Sequence, residues 1–206
     1  KENLMIKEVC VESFSEALAA EKRGADRIEL CDNLYLGGTT PSYGTIKMAM
    51  EKLTIPAFPI IRPRGGNFHY SKEEIEIMKE DIKVCKSLGA KGVVLGVLTA
   101  DNKVDFETLK ELVELASPME VTFHKAVDEL ENPVEVIDRF VEIGVKRILS
   151  SGTKETALEG KDILNAMIKK ADNRIIILIA GKVTSDNFEE VAAAIPSTEY
   201  HGKKII

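Results

Sequence analysis

Apolar positions follow two rhythms that alternate along the chain. Ile75, Met78, Ile82, Cys85 and Leu88 recur three and four residues apart. So do Phe106, Leu109, Leu112 and Leu115, then Val134, Ile137, Phe140 and Ile143. This spacing collects each set on one helix face. Between the stripes lie short apolar runs that predict strands at Ile6–Val11, Arg27–Cys31, Ala57–Arg62, Gly92–Gly96, Glu120–Phe123, Arg147–Leu149, Ile175–Ala180 and Glu199–His201. Several are almost continuously apolar, as expected of parallel strands covered by helices. Helical segments end at Gly24, Gly89 and Gly144, followed by GADRIEL, GAKGVVL and GVKRILS, a weak repeat of the helix-to-strand joint. Glycine suits that joint because it enters the left-handed region without a Cβ clash.

Eight strands alternating with seven helices predict an α/β fold, a TIM-type (β/α)8 parallel barrel in one domain over residues 1–206. With five residues after the last strand, the eighth helix is expected to be missing or very short. An open doubly wound sheet is the alternative. Neither GxGxxG after the first strand nor a P-loop supports it.

Composition adds exclusions. Hydrophobic residues make up 44% and charged residues 30%, an ordinary globular balance that can bury a core. A net charge of −6 argues against a nucleic-acid partner. No apolar run is long enough to span a membrane. Lys1 to Ile6 shows no signal-peptide pattern, and three cysteines are too few for a disulfide framework, so a reducing cytoplasm is the expected location.

In such a barrel, chemistry gathers at the C-terminal strand ends. Those positions hold Glu12, Glu29 to Asp32, Arg62, Arg64, His124 to Asp128, Ser150 to Thr153, Gly181, Lys182 and His201. Glu12, Glu29, His124 and Asp128 are the candidate acid/base groups. Arg62 and Arg64, held extended around Pro63, suit a carboxylate, a phosphate, or buried partners such as Glu12 and Glu29. His124 suits a general base or a metal ligand, although a lone histidine is more often a hydrogen-bonded structural residue. Lys125 is a Schiff-base candidate or a solvated lysine, and His69 a lid residue or a bystander. Ser151 and Gly152 sit in a loop whose backbone N–H groups could meet an anion.

Cys85 lies on a helical core stripe and reads as a small buried hydrophobe. Cys10 and Cys31 differ. Alternation places Cys10 on the side of Glu8 and Glu12, and Cys31 on the side of Glu29. Charged side chains do not belong in an apolar helix layer, so this side should face the barrel interior. Two inward thiols on adjacent strands suit Cu(I), which soft thiolates select. Without the register, two thiols at different heights remain the alternative.

The blocks EVCVES, RIELCDNLYLGGTTPSYGTI, IRPRGGNFHYS, GVVLG, TFHKAVD and RILSSG resemble, in order, those of the CutC family of copper homeostasis proteins. The resemblance implies a parallel barrel, a cytoplasmic location, self-association into a homo-oligomer, and Cu(I) bound by Cys10 and Cys31. It also implies that Glu12, Glu29, Arg62, Arg64, His124 and Asp128 form a polar cluster in the barrel mouth. Lys125 stands where Arg is usual, Asn67 where Asp is usual, and Ala180-Gly181-Lys182 replaces a glycine-richer turn, departures that weaken any anion site shared by the fifth and seventh loops. Two functions follow as expectations: Cu(I) handling, or a barrel enzyme acting on a small anionic metabolite.

Overall fold

The computed structural model describes residues 5–206, in which strands and helices alternate. The strands are β1 (Ile6–Val11), β2 (Arg27–Leu30), β3 (Ala57–Pro59), β4 (Gly92–Leu95), β5 (Glu120–Phe123), β6 (Arg147–Ser150), β7 (Ile176–Ile179) and β8 (Glu199–Gly202). The helices are α1 (Phe14–Lys22), α2 (Tyr43–Lys52), α3 (Lys72–Ser87), α4 (Phe106–Ala116), α5 (Ile137–Ile143), α6 (Lys161–Ala171) and α7 (Phe188–Ala194). Among the described residues no helix follows β8. Ser13, Ser42, Ser71 and Asp105 cap α1 to α4 by accepting backbone N–H groups, and Ser71 with Glu74 forms a reciprocal capping box. Gly24, Gly89 and Gly144 adopt φ of 101°, 89° and 100°, the left-handed turn their sequence repeat requires.

All strand pairs are parallel, in the order β3-β2-β1-β8-β7-β6-β5-β4. The ring closes between β3 and β4 through an Ile60–Val94 bridge and an Ile61 N–H donated to Val94 O at 2.7 Å. The chain is therefore a (β/α)8 barrel. Bounds of five strands shift by a single residue, which leaves Cys31 just past β2, and two elements differ by more. The third strand stops at Pro59 rather than Arg62, because Arg62 turns to exchange backbone and hydroxyl bonds with Thr40. The Val134–Ile143 stripe divides into a 3₁₀ turn at Pro133–Val136 and then α5.

Side-chain alternation sorts each strand into an apolar outer face and a largely polar inner one. Val9, Val11, Ile28, Leu30, Val93, Leu95, Val121, Phe123, Ile148, Ile177, Ile179 and Tyr200 join the large core formed with the helices. The barrel interior contains only small apolar groups: Cys31, Phe58, Ile60 and Val94 on one side, and Leu149, Leu178 and Ala180 on the other. Its N-terminal end is ionic. Arg27 donates from Nε to Glu8 at 2.5 Å and from a terminal nitrogen to Glu199 at 2.6 Å. Arg147 joins the same Glu199 oxygen at 2.9 Å and Glu120 at 3.0 Å. The Phe58 ring lies near both guanidiniums, 5.0 Å from Arg27 and 5.3 Å from Arg147. It fits because β4 presents Gly92 there, where a Cβ would come within 2.7 Å of the ring.

Candidate metal centre and barrel-mouth cavity

The opposite, C-terminal end of the interior holds the thiols. In the β1–β2 register Cys10 is opposite Glu29, and Glu8 opposite Arg27. In the β1–β8 register Glu8 is opposite His201. These pairings bring Cys10 Sγ and Cys31 Sγ to 3.9 Å, so the two thiols share one height in the barrel. Cys31 Sγ is also 3.5 Å from Glu29 Oε1. His201 Nδ1 lies 2.8 Å from Glu8 Oε1 and 3.4 Å from Glu29 Oε2. The longer contact is an ionic approach only, for Glu29 Oε2 has no hydrogen-bond partner among the described residues. One donor atom each from Cys10, Glu29 and Cys31 lies within 4.8 Å of the others, and the same holds for Glu8, Glu29 and His201.

The charges here depend on one another. The hydrogen bond with Cys31 brings Cys10 down to about 5 against the effect of burial, with His201 assisting. The same bond, burial and Glu29 push Cys31 well above the ordinary thiol range. One thiolate and one thiol therefore share a proton near neutral pH. Burial, with the Cys10 charge, pushes Glu29 up to about 8. Burial also opposes ionisation of Glu8, but Arg27 and His201 outweigh it and hold this carboxyl at about 2. Burial disfavours a charged His201, yet Cys10, Glu29 and Glu8 together raise it well above the usual imidazole value.

Beside the thiols opens a cavity of about 660 Å³, lined in part by Cys10, Glu29, Arg62, Phe68, His124 and His201. His124 is 5% exposed. It accepts the Ala126 N–H at Nδ1 (3.1 Å), while its Nε2 has no partner among the described residues. Burial, with the Arg62 charge adding to it, drives His124 down to about 3. The imidazole is thus neutral, and because Nδ1 accepts, Nε2 carries the proton. Gly96 leaves room for this ring, since a Cβ there would fall 2.4 Å from His124 Cε1.

A lowered histidine value has a definite effect on stability. The neutral form is favoured by the fold, so its contribution is complete above the unfolded value near 6.5 and is lost as pH falls toward about 3. One extra proton taken up on unfolding changes stability by about 1.4 kcal/mol per pH unit. Between pH 6 and 4, His124→Gln is expected to flatten the slope of unfolding free energy by nearly that amount in urea titrations. Parallel slopes for wild type and variant would contradict a buried neutral His124.

The remaining candidates take other positions. Glu12 is exposed beyond the end of β1, where alternation stops, and accepts the Leu34 N–H at 2.9 Å. Asp128 accepts from Ser150 Oγ at 2.7 Å, Ser151 N at 2.9 Å and Thr153 N at 3.0 Å. Gly152 N donates to Ser150 Oγ at 3.0 Å. The loop N–H groups expected to meet an anion are therefore held by the protein's own side chains. Arg62 donates to the carbonyls of Leu36, Gly38 and Gly66, and Arg64 pairs with Glu74 at 2.5 Å. Neither pairs with Glu12 or Glu29. Lys125 is exposed at the cavity edge, and His69 offers its backbone carbonyl to Arg64. Sequence reasoning placed His201 at a strand end and Glu8 on the face of Cys10 but assigned neither a role in the site. Alternation from Cys10 already pointed to Glu8, and closure of the ring made β8 the neighbour of β1.

Fold and site together define a TIM-type barrel with a paired-thiol, carboxylate and imidazole cluster at its C-terminal mouth. The chain matches the CutC family over residues 5–206 and belongs to it. It is 42% identical over 199 residues to the human copper homeostasis protein cutC homolog, covering 97% of this chain and 73% of that protein. It is 44% identical to a CutC family protein of Enterococcus faecalis, covering 98% of this chain and all of that one. The CutC structure from Streptococcus agalactiae superposes with a TM-score of 0.93 at 36% identity, covering 98% of this chain and all of that one. A deoxyribose phosphate aldolase from Aeropyrum pernix shares the fold alone, with a TM-score of 0.70 at 12% identity over 98% of this chain and 86% of its own.

Proposed function

We propose that this protein handles copper in the cytoplasm, holding Cu(I) between Cys10 and Cys31. The observation that carries this reading is the 3.9 Å separation of two free sulfurs, one on β1 and the other on the residue just past β2. Two collinear thiolate–metal bonds of ~2.3 Å would span ~4.6 Å, so an ion held by both sulfurs sits bent and open to a third donor. Glu29, with Oε2 unpartnered and Oε1 beside Cys31, is that donor. Soft thiolates select Cu(I) over the harder divalent ions. A Cu(I) bis-thiolate carries a net negative charge, which the cationic His201 beside Cys10 offsets, with Glu8 fixing the ring at 2.8 Å. Cys10 and Glu29 lie on β1 and β2, Cys31 directly follows β2, and the orienting groups Glu8 and His201 lie on β1 and β8.

Anaerobic titration with Cu(I) against a competing chelator is expected to load one ion per chain. X-ray absorption should then report two sulfur donors and one oxygen or nitrogen donor. A first shell with fewer than two sulfurs would remove the basis for this assignment.

A further inference from the structure

Charge at the barrel mouth runs against that of the whole molecule. The protein carries a net charge of −6, yet the cavity lining holds one arginine and four lysines against two carboxylates, Glu29 and Glu155. Glu155 holds Lys182, but among the described residues no carboxylate pairs with Lys125, Lys203 or Lys204. These three side chains are exposed at the rim, on fixed backbone. Ser185 N–H donates to Lys204 O at 2.8 Å, and Gly202 packs so closely that a Cβ there would come 2.1 Å from Val183 O. Cys10 is half-buried and lines this cavity, whereas Cys31 is 1% exposed and forms no part of the lining. A bare cuprous ion would have to pass unpaired ammonium groups of its own sign to reach Cys10. The volume of about 660 Å³ is that of a small-molecule site and far exceeds what a bare ion needs.

Resting on the copper reading, we infer that Cu(I) reaches Cys10 as a complex with a small carboxylate-bearing thiol, which Lys125, Lys203 and Lys204 draw into the cavity. Held by two thiolates the metal is part of an anion, and carboxylates add to its charge, so its sign matches the rim. Leu34, Ile60 and Leu149 provide apolar wall for the carrier's carbon chain. Transfer is an exchange of sulfur ligands in which copper stays Cu(I). One Cu–S bond forms to Cys10 as one carrier Cu–S bond breaks and releases a carrier thiolate. A second exchange forms the bond to Cys31, and the Cys31 proton leaves with the other carrier sulfur as a thiol. A protein donor would meet the rim from outside and leave the volume within unfilled.

Cu(I) uptake by the metal-free chain tests this, with excess mercaptopropionate, mercaptoethanol or cysteamine as the anionic, neutral and cationic carrier. Each carrier holds Cu(I) with its own strength. The quantity compared is therefore the wild-type uptake rate divided by that of the Lys125→Gln, Lys203→Gln, Lys204→Gln variant. At low salt this ratio is expected to be about tenfold or more for mercaptopropionate, lower for mercaptoethanol and below one for cysteamine. Equilibrium Cu(I) affinity, measured against a chelator, should be the same in both proteins. Wild type alone gives a second reading that requires no variant to fold: added salt should slow uptake from mercaptopropionate and speed it from cysteamine. Equal ratios for the three carriers, or the same salt response with both charged ones, would overturn the inference and leave the copper site standing. A variant whose affinity falls as much as its rate would also sink it, by placing the lysines' effect at the metal. So would loading from the chelator but from none of the three thiols, which would point to a protein donor. Failure to take up Cu(I) from any source would remove the copper reading, and this inference with it.

Discussion

Replacing either thiol is expected to lower Cu(I) affinity by well over about 100-fold, because even removing an outer partner of a metal ligand costs 10–100-fold. Cys10→Ser and Cys31→Ser keep nearly the same volume and exchange a soft donor for a hard one. Cys85→Ser should leave the affinity unchanged, since Cys85 is buried on α3, and burial pushes its thiol up to about 12. The pH dependence is directional. Cys10, held at about 5, is already a thiolate at neutral pH, so Cu(I) displaces no proton from it until the solution nears that value. Cys31 and Glu29 are raised, and both must ionise to serve as donors. Loading at pH 7 should therefore release protons, with affinity falling as pH is lowered. Competition titrations of the three variants at pH 6, 7 and 8 measure both effects. Equal affinity in Cys10→Ser, Cys31→Ser and wild type would end the copper assignment.

The second large effect concerns stability at the other end of the barrel. Glu199→Ala should destabilise the fold by about 3–5 kcal/mol, the usual consequence of breaking a buried ion pair from one side. One carboxylate oxygen of Glu199 receives both Arg27 and Arg147, and the Arg, Glu8 and Glu199 side chains are at most 7% exposed. Without it, two adjacent guanidiniums beside Phe58 would keep, among the described residues, only Glu8 and the more exposed Glu120 as anionic partners. For a chain of this size the fall in melting temperature is roughly 6–20 °C. Glu199→Gln retains an acceptor and should cost less. Replacing the whole network with apolar side chains of matching volume is a different experiment, and by the same physics it can be neutral. Calorimetry on Glu199→Ala decides whether the network bears on folding; a shift of under about 2 °C would show that water, not protein, satisfies these charges.

Much of this architecture was legible in the residue pattern. Helical and extended rhythms come from local periodicity, so the eight strands and seven helices emerged in order, and glycine marked the joints at Gly24, Gly89 and Gly144. Errors came where non-local contacts end an element. Pro59 and the Arg62–Thr40 exchange shorten β3, although the run of apolar residues continues through Ile61. Alternation also identified which face of β1 and β2 carries Cys10, Cys31 and Glu29. It failed for Glu12, since period 2 holds only within the strand.

The functional groups divide by the same physics. Their chemical types and their place at strand ends are determined by sequence, because both depend on neighbours along the chain. Which groups meet depends on strand register and ring closure, which no local pattern encodes. Register set the thiols at one height, 3.9 Å apart. Closure of β8 against β1 added His201 and Glu8. Tertiary packing directed Arg64 to Glu74 and Asp128 to its own loop. The sequence alone thus determined a barrel with ionisable groups gathered at its mouth. Only the three-dimensional structure decided that the mouth joins a thiol pair to a lysine-rimmed cavity, because hydrogen-bond partners and charge balance are fixed by distances between segments remote in sequence.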